Sequence, residues 1–421
     1  MNLWQRFQPF RIRLLLFLAV LGPGIITASV DNDAGGITTY SVAGATYGYQ
    51  ILWLMPLIVV ALIMVQEMSA RLGVVTGKGL SGLIRESLGV RATAVIVALL
   101  LFANLTNTIS EFAGVAASLQ IFGVSKFISV PIAAVGVWLL VVKGSYRSVE
   151  RIFLAASAIY LAYVASGIMA NPDWSQVAHG LVTPSFSFDT AYIVMTITVI
   201  GTSIAPWMQF YQQSAIADKG LKKAHYAYER LDVIVGAVFA IFIATFIVIA
   251  CAATLYQHGL QIQTAQDAAL ALRPLAGPYA SALFALGLLN ASVFSAAILP
   301  LSTAYVVCEA FGWELGVNRN LREAPIFFII YTALIVVGAG IILLPIQSLV
   351  QTMMISQTLN GLLLPVILVV MLRLINDQRL MGTFVNGRVF NVISWVIIAA
   401  LIGLTGLLVL STVAPGLLSS G

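Results

Sequence analysis

The hexapeptide Asp31-Asn32-Asp33-Ala34-Gly35-Gly36 interrupts an apolar stretch that runs from about residue 12 to residue 49. Two carboxylates, an amide and a pair of glycines therefore lie where a membrane helix would be uniformly apolar. An ionisable side chain at bilayer depth costs at least about 2.5 to 3.5 kcal/mol, so it marks a functional site unless it lies at an interface. The hexapeptide predicts a charged break in the first span.

The composition is that of a membrane protein. Of the 421 residues, 60% are hydrophobic and 9% are charged, and the mean hydropathy is +1.00. No water-soluble domain of this size has such values. Successive apolar stretches that can cross about 30 Å of hydrocarbon predict helices embedded in a lipid bilayer. The net charge of +5 is spread over short loops, so we expect no nucleic-acid partner.

Eleven spans are predicted, with ends accurate to several residues. They cover residues 12–47, 50–72, 90–122, 125–142, 152–171, 190–217, 231–257, 276–310, 324–344, 346–374 and 389–413. Lys and Arg are concentrated in alternate loops, as the positive-inside rule requires of a protein whose N-terminus is cytoplasmic. An odd number of spans then places Gly421 outside. We expect a multi-pass protein of the plasma membrane.

A second break is predicted in the sixth span, at Gly201-Thr202-Ser203-Ile204-Ala205-Pro206, because proline lacks the backbone donor that a helix interior needs. Interrupted spans at matching places in two five-helix halves are the sequence sign of a transporter with inverted repeats and a midplane site. We therefore expect one transmembrane domain over residues 1–421. Its first repeat is residues 1–171, its second repeat is 190–374, and a peripheral eleventh helix is 389–413.

The chemistry of the first break favours a cation. Unwound backbone exposes carbonyl oxygens, and carboxylates add negative charge. Such oxygen ligands suit hard divalent cations, whereas sulfur and imidazole ligands suit softer metals. No Lys or Arg lies in the middle of a span, which argues against an anionic substrate. For Asp31, several roles stay open: a direct ligand, a second charge that attracts the metal, an entrance group or a structural group.

Other polar side chains fall within predicted spans. Glu111 in the third span either shapes the permeation path or a proton route, or it pairs structurally. Gln357, Thr358 and Asn360 place oxygen atoms on the tenth span, where they either face the site or bond neighbouring helices. The positions of these residues along the spans do not distinguish between the two roles.

Two further pairs have simpler interpretations. Glu67 and Arg71 are spaced i, i+4 on the second span, which predicts an ion pair. Cys251 and Cys308 lie in apolar segments without metal-ligand spacing, so we expect buried thiols.

The motifs resemble those of a known family. Gly22-Pro23-Gly24, eight further residues, Asp33-Ala34-Gly35-Gly36 and then Ala43 to Tyr49 are similar to the first helix of the Nramp divalent metal transporters, where the break reads Asp-Pro-Gly-Asn. Ser69 to Gly73 resembles the end of their second helix. Gly201 to Pro206 resembles their sixth-helix motif, which ends in Met-Pro-His. The resemblance covers nearly the whole chain.

This resemblance implies an all-α integral membrane protein with the LeuT-like fold. That fold has two inverted five-helix repeats plus an eleventh helix, and its first and sixth helices are broken at the midplane. Asp33 matches the metal-binding aspartate of the family, with Asp31 or Asn32 supplementing charge and oxygen ligands.

Several positions depart from the family pattern. Gly36 stands where the family has an asparagine ligand. Ala205 replaces the methionine that gives Nramp proteins their preference for transition metals, although backbone carbonyls near it remain candidate ligands. Trp207 replaces the histidine tied to proton transport.

The remaining correspondences lie on the third and tenth helices. Thr108 replaces a third-helix aspartate, while Glu111 keeps the family's glutamate on the proton or permeation path. Thr358 occupies the tenth-helix glutamine position, with Gln357 adjacent.

The departures resemble those of the Nramp-related magnesium transporters. Loss of the thioether removes the soft ligand, and small residues leave room for an ion that keeps several waters. The resemblance implies a secondary-type transporter that imports Mg²⁺ first and Mn²⁺ second by alternating access, weakly or not coupled to protons. The metal is cargo, no cofactor is expected, and we expect a monomer.

Two alternative functions stay open. One is a proton-coupled Mn²⁺/Fe²⁺ symporter of the Nramp type. The other is a sodium-coupled symporter of organic solutes with the same inverted-repeat fold, against which the Nramp-like residues argue. We expect no enzyme, because no nucleophile, base and orienting group occur together.

Overall fold

The fold is a bundle of long apolar helices. The computed structural model describes residues 30–143, 157–317, 319–345 and 348–413, and no strand occurs among them. In chain order the helices are α1 (Ala34–Tyr47), α2 (Leu54–Thr76), α3 (Leu80–Gln120), α4 (Lys126–Val142), α5 (Leu161–Met169), α6 (Trp174–Val182), α7 (Thr190–Ser203), α8 (Pro206–Asp218), α9 (Tyr226–Thr254), α10 (Ala265–Ala269), α11 (Arg273–Ala276), α12 (Ala280–Phe311), α13 (Pro325–Leu343), α14 (Leu349–Ile375), α15 (Gln378–Met381) and α16 (Arg388–Val413).

The helices confirm the predicted spans wherever the structure describes them. Eight helical segments are long and apolar enough to cross a membrane, and α4 and α5 belong to shorter apolar segments. The beginning of the first span, with Gly22-Pro23-Gly24, and the first residues of the fifth span lie outside the described residues. One predicted loop was wrong in part.

That loop, residues 171–189, contains helix α6. Asp173 begins the helix by accepting hydrogen bonds from the backbone N–H groups of Ser175 (2.9 Å) and Gln176 (3.2 Å). A side-chain acceptor at this position satisfies donors that a helix start otherwise leaves unpaired. The lack of Lys and Arg in this segment predicts only its side of the membrane, whereas the capping signal at Asp173 is what indicates the helix within it.

Both breaks are present and narrower than predicted. In the first, Asn32 and Asp33 are non-helical, and α1 already begins at Ala34. In the second, only Ile204 and Ala205 lie between α7 and α8. Pro206 is the first residue of α8, where its missing N–H costs nothing and its fixed φ favours the helix. The proline therefore starts a new helix.

Small residues bring the helices around the breaks into close contact. α7 packs on α14 through Gly201 and Gly361, since a Cβ at either glycine would meet backbone atoms of the other helix. A Cβ at Gly114 of α3 would meet Ala34 of α1 and Ser292 of α12. Without side chains at these points, four helices close around the start of α1.

The predicted pair of Glu67 and Arg71 is confirmed, with a distance of 3.0 Å between Oε2 and Nη2. Both side chains are more than nine-tenths buried. Arg71 also donates to the carbonyl of Phe384 (3.1 Å) and to the side chain of Asn386. Tyr226 of α9 donates to the other carboxylate oxygen of Glu67. The pair thus fastens α2 to α9 and to the segment before α16.

We expect Arg71→Ala to lower the free energy of unfolding by about 3 to 5 kcal/mol, because the Glu67 carboxylate stays buried without its partner. Lys78→Ala is the matched control. Its ion pair with Glu86 is half exposed, and such pairs contribute about 0 to 1 kcal/mol. Thermal unfolding of both purified variants in detergent compares them, and equal stability would contradict the role given to Arg71.

Candidate functional site

Asp33 ends the first break and starts α1. Its backbone is extended, and its Oδ1 accepts from the N–H of Gly36 at 2.6 Å. Its carbonyl oxygen accepts from the N–H of Ile37 at 2.9 Å. This is the ordinary arrangement of a helix N-cap, which Asp favours and which also places a carboxylate at the positive end of the helix. One oxygen of Asp33 is therefore fixed in direction by the start of the helix.

Glu111 of α3 supports the same helix start. Its Oε2 accepts from the N–H of Ala34 at 3.3 Å, while its Oε1 has no hydrogen-bond partner. The side chain is fully buried, and its carboxyl group neighbours that of Asp33. One oxygen of Glu111 therefore binds the start of α1, and the other is available to another donor or to a cation.

Gly36 lies close to three oxygen atoms. A Cβ built at Gly36 would lie 2.6 Å from the carbonyl oxygen of Asp31, 3.3 Å from Oγ1 of Thr202 and 3.4 Å from Oδ1 of Asp33. The Thr202 hydroxyl is buried and has no hydrogen-bond partner. We call this set of three oxygen atoms the Gly36 cradle. It combines a backbone carbonyl from the first break, a carboxylate from the start of α1 and a hydroxyl from the end of α7.

Asp31 and Asn32 bring further oxygen atoms to the first break. Asp31 is 3% exposed, and neither of its carboxylate oxygens has a hydrogen-bond partner. Asn32 donates to the carbonyl of Ala240 on α9 at 3.4 Å, which leaves its Oδ1 unpaired. Unpaired buried polar atoms are rare in folded proteins and call for a ligand or water. The first break therefore holds more acceptors than its described protein surroundings satisfy.

The second break presents its oxygen atoms differently from the prediction. The carbonyl of Ala205 accepts from the N–H of Met208 at 3.1 Å. With its amide nitrogen turned toward the break, Gln209 donates to the same carbonyl at 2.7 Å. Both lone pairs of that carbonyl are then used. Thr202, rather than Ala205, is the residue of this break that reaches the Gly36 cradle.

Ser203 ties the two breaks together. Its Oγ lies 2.7 Å from the hydroxyl of Tyr40 on α1 and donates to the carbonyl of Val199 at 2.7 Å. The end of α7 is thereby held beside α1. This contact fixes the position of Thr202, its neighbour in sequence, relative to Asp33.

Gln357 of α14 covers the site. Its Nε2 lies where a side chain at Gly35 would be, and its Oε1 accepts from Asn360 at 2.9 Å. Asn360 and Asn107 of α3 exchange two hydrogen bonds, of 2.9 and 3.1 Å. The tenth span thus reaches the first break through Gln357, which an amide network holds.

Three of the predicted site residues face elsewhere. Thr358 bonds Thr198 of α7 at 2.7 Å. Thr108 donates to the carbonyl of Asn104 at 2.8 Å and abuts Gly338 on α13. Trp207 is buried directly after Pro206, with its ring 6.2 Å from that of Tyr211. Their side-chain contacts lie outside the Gly36 cradle.

The site has a negative electrostatic character. Asp31, Asp33 and Glu111 are at least 95% buried, and no Lys or Arg is ion-paired with them among the described residues. Buried carboxylates without a partner are costly. Within the same part of the chain, no three His, Cys, Asp or Glu side chains converge as a closed metal site. The arrangement suits a cation that brings part of its own coordination shell.

The structure adds two residues to the predicted site, Thr202 and Asn107. In the sequence, Thr202 is one of several polar groups near the second break, and Asn107 lies in a long apolar helix. The signal for Thr202 was its position just before a proline break. For Asn107 it was the spacing of four residues to Glu111, which places both on one face of α3.

A bundle of apolar helices with two breaks and an oxygen-lined, negatively charged site beside them is the architecture of a membrane transporter. The Nramp profile, described as natural resistance-associated macrophage protein-like, matches residues 24–411. The chain belongs to the Nramp family. It is a multi-pass membrane transporter and not an enzyme.

Relatives and solved structures agree with this assignment. The chain is 26% identical over 416 residues to the divalent metal cation transporter MntH of Bacillus subtilis, covering 94% of this chain and 92% of that protein. It is 29% identical over 404 residues to the MntH of Ralstonia nicotianae, covering 91% and 89%. Both are named as transporters of divalent metal cations.

The fold is shared with solved structures. The manganese transporter of Eremococcus coleocola superposes with a TM-score of 0.76 at 24% identity, covering 94% of this chain and 86% of that one. Mhp1, a nucleobase-cation-symport-1 family transporter, superposes with a TM-score of 0.60 at 14% identity, covering 93% and 91%. These likenesses confirm the LeuT-like fold.

We expect Gly201→Ala to destabilise the protein by about 1 to 3 kcal/mol, as overpacking does. The new Cβ would lie 2.7 Å from Cα of Gly361 and collide with the carbonyl of Gln357. Gly340→Ala on α13 is the matched control, since its Cβ meets nothing within 4 Å. Thermal unfolding in detergent should separate the two variants. An unchanged melting temperature for Gly201→Ala would refute the close packing of α7 on α14.

Proposed function

We propose that this protein imports hard divalent cations, Mg²⁺ first and Mn²⁺ second, across the plasma membrane by alternating access. The observation that carries the proposal is the Gly36 cradle, where three oxygen atoms of different origin lie beside Gly36. Carboxylate, carbonyl and hydroxyl oxygens are ligands of hard cations. In this proposal Asp33 binds the ion directly through the oxygen that faces the cradle.

The small number of direct ligands favours an ion that keeps water. Mg²⁺ dehydrates reluctantly and is usually held by one or two carboxylates with several waters retained. A side chain at position 36 would crowd the carbonyl of Asp31, which lies 2.6 Å from a Cβ built there. The absence of a thioether in the cradle also removes the ligand that favours softer metals.

Asp31 and Asn32 supply further oxygen atoms to the bound ion or its waters. Their unpaired atoms lie beside the carbonyl of Asp31, which is itself part of the cradle. Gln357 approaches the ion from α14 in this proposal. Its Oε1 is held by Asn360, so its Nε2 is the atom that faces the start of α1 and donates to Asp33 or to a water of the ion.

Weak or absent proton coupling is part of the proposal. Thr108 cannot carry a charge, and its hydroxyl donates to a backbone carbonyl of its own helix. Trp207 offers no titratable group near the second break. Glu111 is the buried carboxylate of α3, and one of its oxygens is engaged by the start of α1.

The orientation proposed is the one that the loop charges favour. The N-terminus and the loops rich in Lys and Arg lie in the cytoplasm, and the C-terminus lies outside. The end of the bundle that carries Lys78, Lys219 and Lys222 is then the cytoplasmic end.

A second candidate is a proton-coupled Mn²⁺ transporter. It is favoured by the names of the relatives, which are divalent metal cation transporters, and of the structural neighbour, which is a manganese transporter. Uptake of Mg²⁺, Mn²⁺ and Ca²⁺ into proteoliposomes, with internal pH recorded, separates the two. Mg²⁺ entry without acidification supports the first candidate, and Mn²⁺ entry with acidification and exclusion of Mg²⁺ supports the second.

We expect Asp33→Asn to abolish Mg²⁺ uptake into proteoliposomes while the protein still folds. Asparagine is as good an N-cap as aspartate, so the start of α1 is retained, but the charge is lost. Glu86→Gln is the control, because it removes a half-exposed carboxylate far along the chain from the breaks. If Asp33→Asn transported Mg²⁺ at the wild-type rate, the proposed ligand would be wrong.

We expect Ala205→Met to raise the ratio of Mn²⁺ to Mg²⁺ uptake. The substitution adds a soft thioether beside the second break, which favours the softer metal, and it fills space that a hydrated ion needs. Uptake of both ions, measured in one preparation of proteoliposomes, gives the ratio. Ala205→Leu adds similar bulk without sulfur and serves as the control. An equal ratio in both variants would show that the sulfur has no effect.

A further inference from the structure

Gln357 of α14 reaches the start of α1 because Gly35 has no side chain. A Cβ built at Gly35 would lie 1.8 Å from Nε2 of Gln357 and 2.7 Å from its amide carbon. Gln357 is 1% exposed, and its Nε2 has no hydrogen-bond partner in the described part of the chain. The side of this amide that is directed at the first break is therefore its donor side.

The acceptor side of the same amide is held by Asn360. Nδ2 of Asn360 donates to Oε1 of Gln357 at 2.9 Å and to Oδ1 of Asn107 at 2.9 Å. A side-chain NH₂ group has two protons, and these two bonds use both of them. In return, Oδ1 of Asn360 accepts from Nδ2 of Asn107 at 3.1 Å. Three amides from two helices thus form one hydrogen-bonded chain, which we call the amide chain.

The amide chain prevents Gln357 from turning alone. A half turn of its amide would place Nε2 against Nδ2 of Asn360, so two donors would face each other and a buried hydrogen bond would be lost. Leaving buried polar atoms without a partner is costly. A turn that keeps every bond requires Asn360 and Asn107 to turn at the same time, and each of these side chains is 1% exposed.

Close helix packing fixes the backbone beside the amide chain. Gly361 follows Asn360 on α14, and a Cβ built there would lie 2.4 Å from the carbonyl oxygen of Ile197 on α7. α14 therefore cannot approach α7 more closely at this point. Packed interiors give way little to such shifts. The position of Asn360, and with it the direction of the Gln357 amide, is set by the contact of α14 with α7 and α3.

The direction of this amide determines what a cation meets on its α14 side. An N–H group cannot ligate a cation, whereas an amide oxygen can. Ca²⁺ takes six to eight oxygen ligands and uses the carbonyls of Asn and Gln among them, while Mg²⁺ usually keeps several waters. A site that withholds the oxygen of Gln357 therefore offers less to Ca²⁺ than to an ion that keeps its water.

We propose that Asn360, held by Asn107, is a positioning residue for cation selection. It keeps Oε1 of Gln357 away from the site, so that a bound ion keeps its water on the side of α14 and Ca²⁺ is disfavoured. This role rests on the cation transport proposed above and adds a cause for its selectivity that lies outside the Gly36 cradle.

Two variants release the oxygen of Gln357 in different ways. Asn360→Asp can only accept while ionised, so Gln357 must turn its N–H group toward it and its oxygen toward the site. The double variant Asn107→Leu, Asn360→Leu removes both partners of the asparagine pair together, which leaves neither of them orphaned, and adds no charge. Asn104→Asp is the charge control, because Asn104 bonds Thr303 at 2.8 Å and is not part of the amide chain.

The full chain in proteoliposomes gives the readout. Ca²⁺ competes with uptake of the carried ion, Mg²⁺ or Mn²⁺, supplied well below its KM. The Ca²⁺ concentration that halves uptake is divided by that KM. Added charge affects both divalent ions, so this ratio reports selectivity, which a loss of stability alone would not change.

We expect the ratio to fall about tenfold in Asn360→Asp, the effect of one added interaction with a charged partner. It should fall in the double variant as well, and it should stay at the parent value in Asn104→Asp. Adding Gln357→Leu to Asn360→Asp should restore the parent ratio. A parent ratio in both releasing variants, an equal fall in Asn104→Asp, or a fall that persists with Gln357→Leu would overturn the role of Asn360. A parent protein that carries neither ion would instead refute the proposed function.

Discussion

The structure depends on hydrogen-bond partners for the backbone groups that two helix breaks expose inside an apolar bundle. Each break exposes backbone groups where no water can pair with them, so partners must come from the protein. At the first break, Asp33 and Glu111 accept from the opening N–H groups of α1. At the second, Pro206 removes one donor altogether, and Gln209 pairs with the carbonyls that remain. The helices close around the breaks through glycines.

The buried acceptors that have no hydrogen-bond partner at the breaks indicate what the site binds. Acceptors remain unpaired at Asp31, Asn32, Thr202 and Glu111, and no described basic side chain is paired with the carboxylates. A protein that only needed stability would not bury this many acceptors. Their arrangement around the Gly36 cradle accounts for the surplus if a hydrated cation passes through. The missing side chains at Gly36 and Ala205 then matter as much as the ligands.

Much of the fold could be predicted from the sequence. Apolar length fixed the described spans, and the polar hexapeptide and Pro206 located both breaks, because their physical cost in a membrane is large. The exact extent of the breaks could not be predicted, since it depends on Asp33 acting as a cap and on Pro206 starting a helix. Side-chain direction was also out of reach: Gln357 rather than Thr358 faces the site, and Thr202 rather than Ala205 reaches the cradle. Which of two neighbouring helix residues faces the site depends on how that helix packs against others, as in the contact between Thr358 and Thr198.

The central claim is that a divalent cation binds at the Gly36 cradle with Asp33 as its direct ligand. Crystals of the protein grown with Mn²⁺, and measured at the manganese absorption edge, test it most directly. We predict an anomalous peak within coordination distance of the Asp33 carboxylate. Thr202 and the carbonyl of Asp31 should contact the same ion directly or through one bridging water. A peak on Asp31 or Glu111 alone, with none at Asp33, would contradict the account.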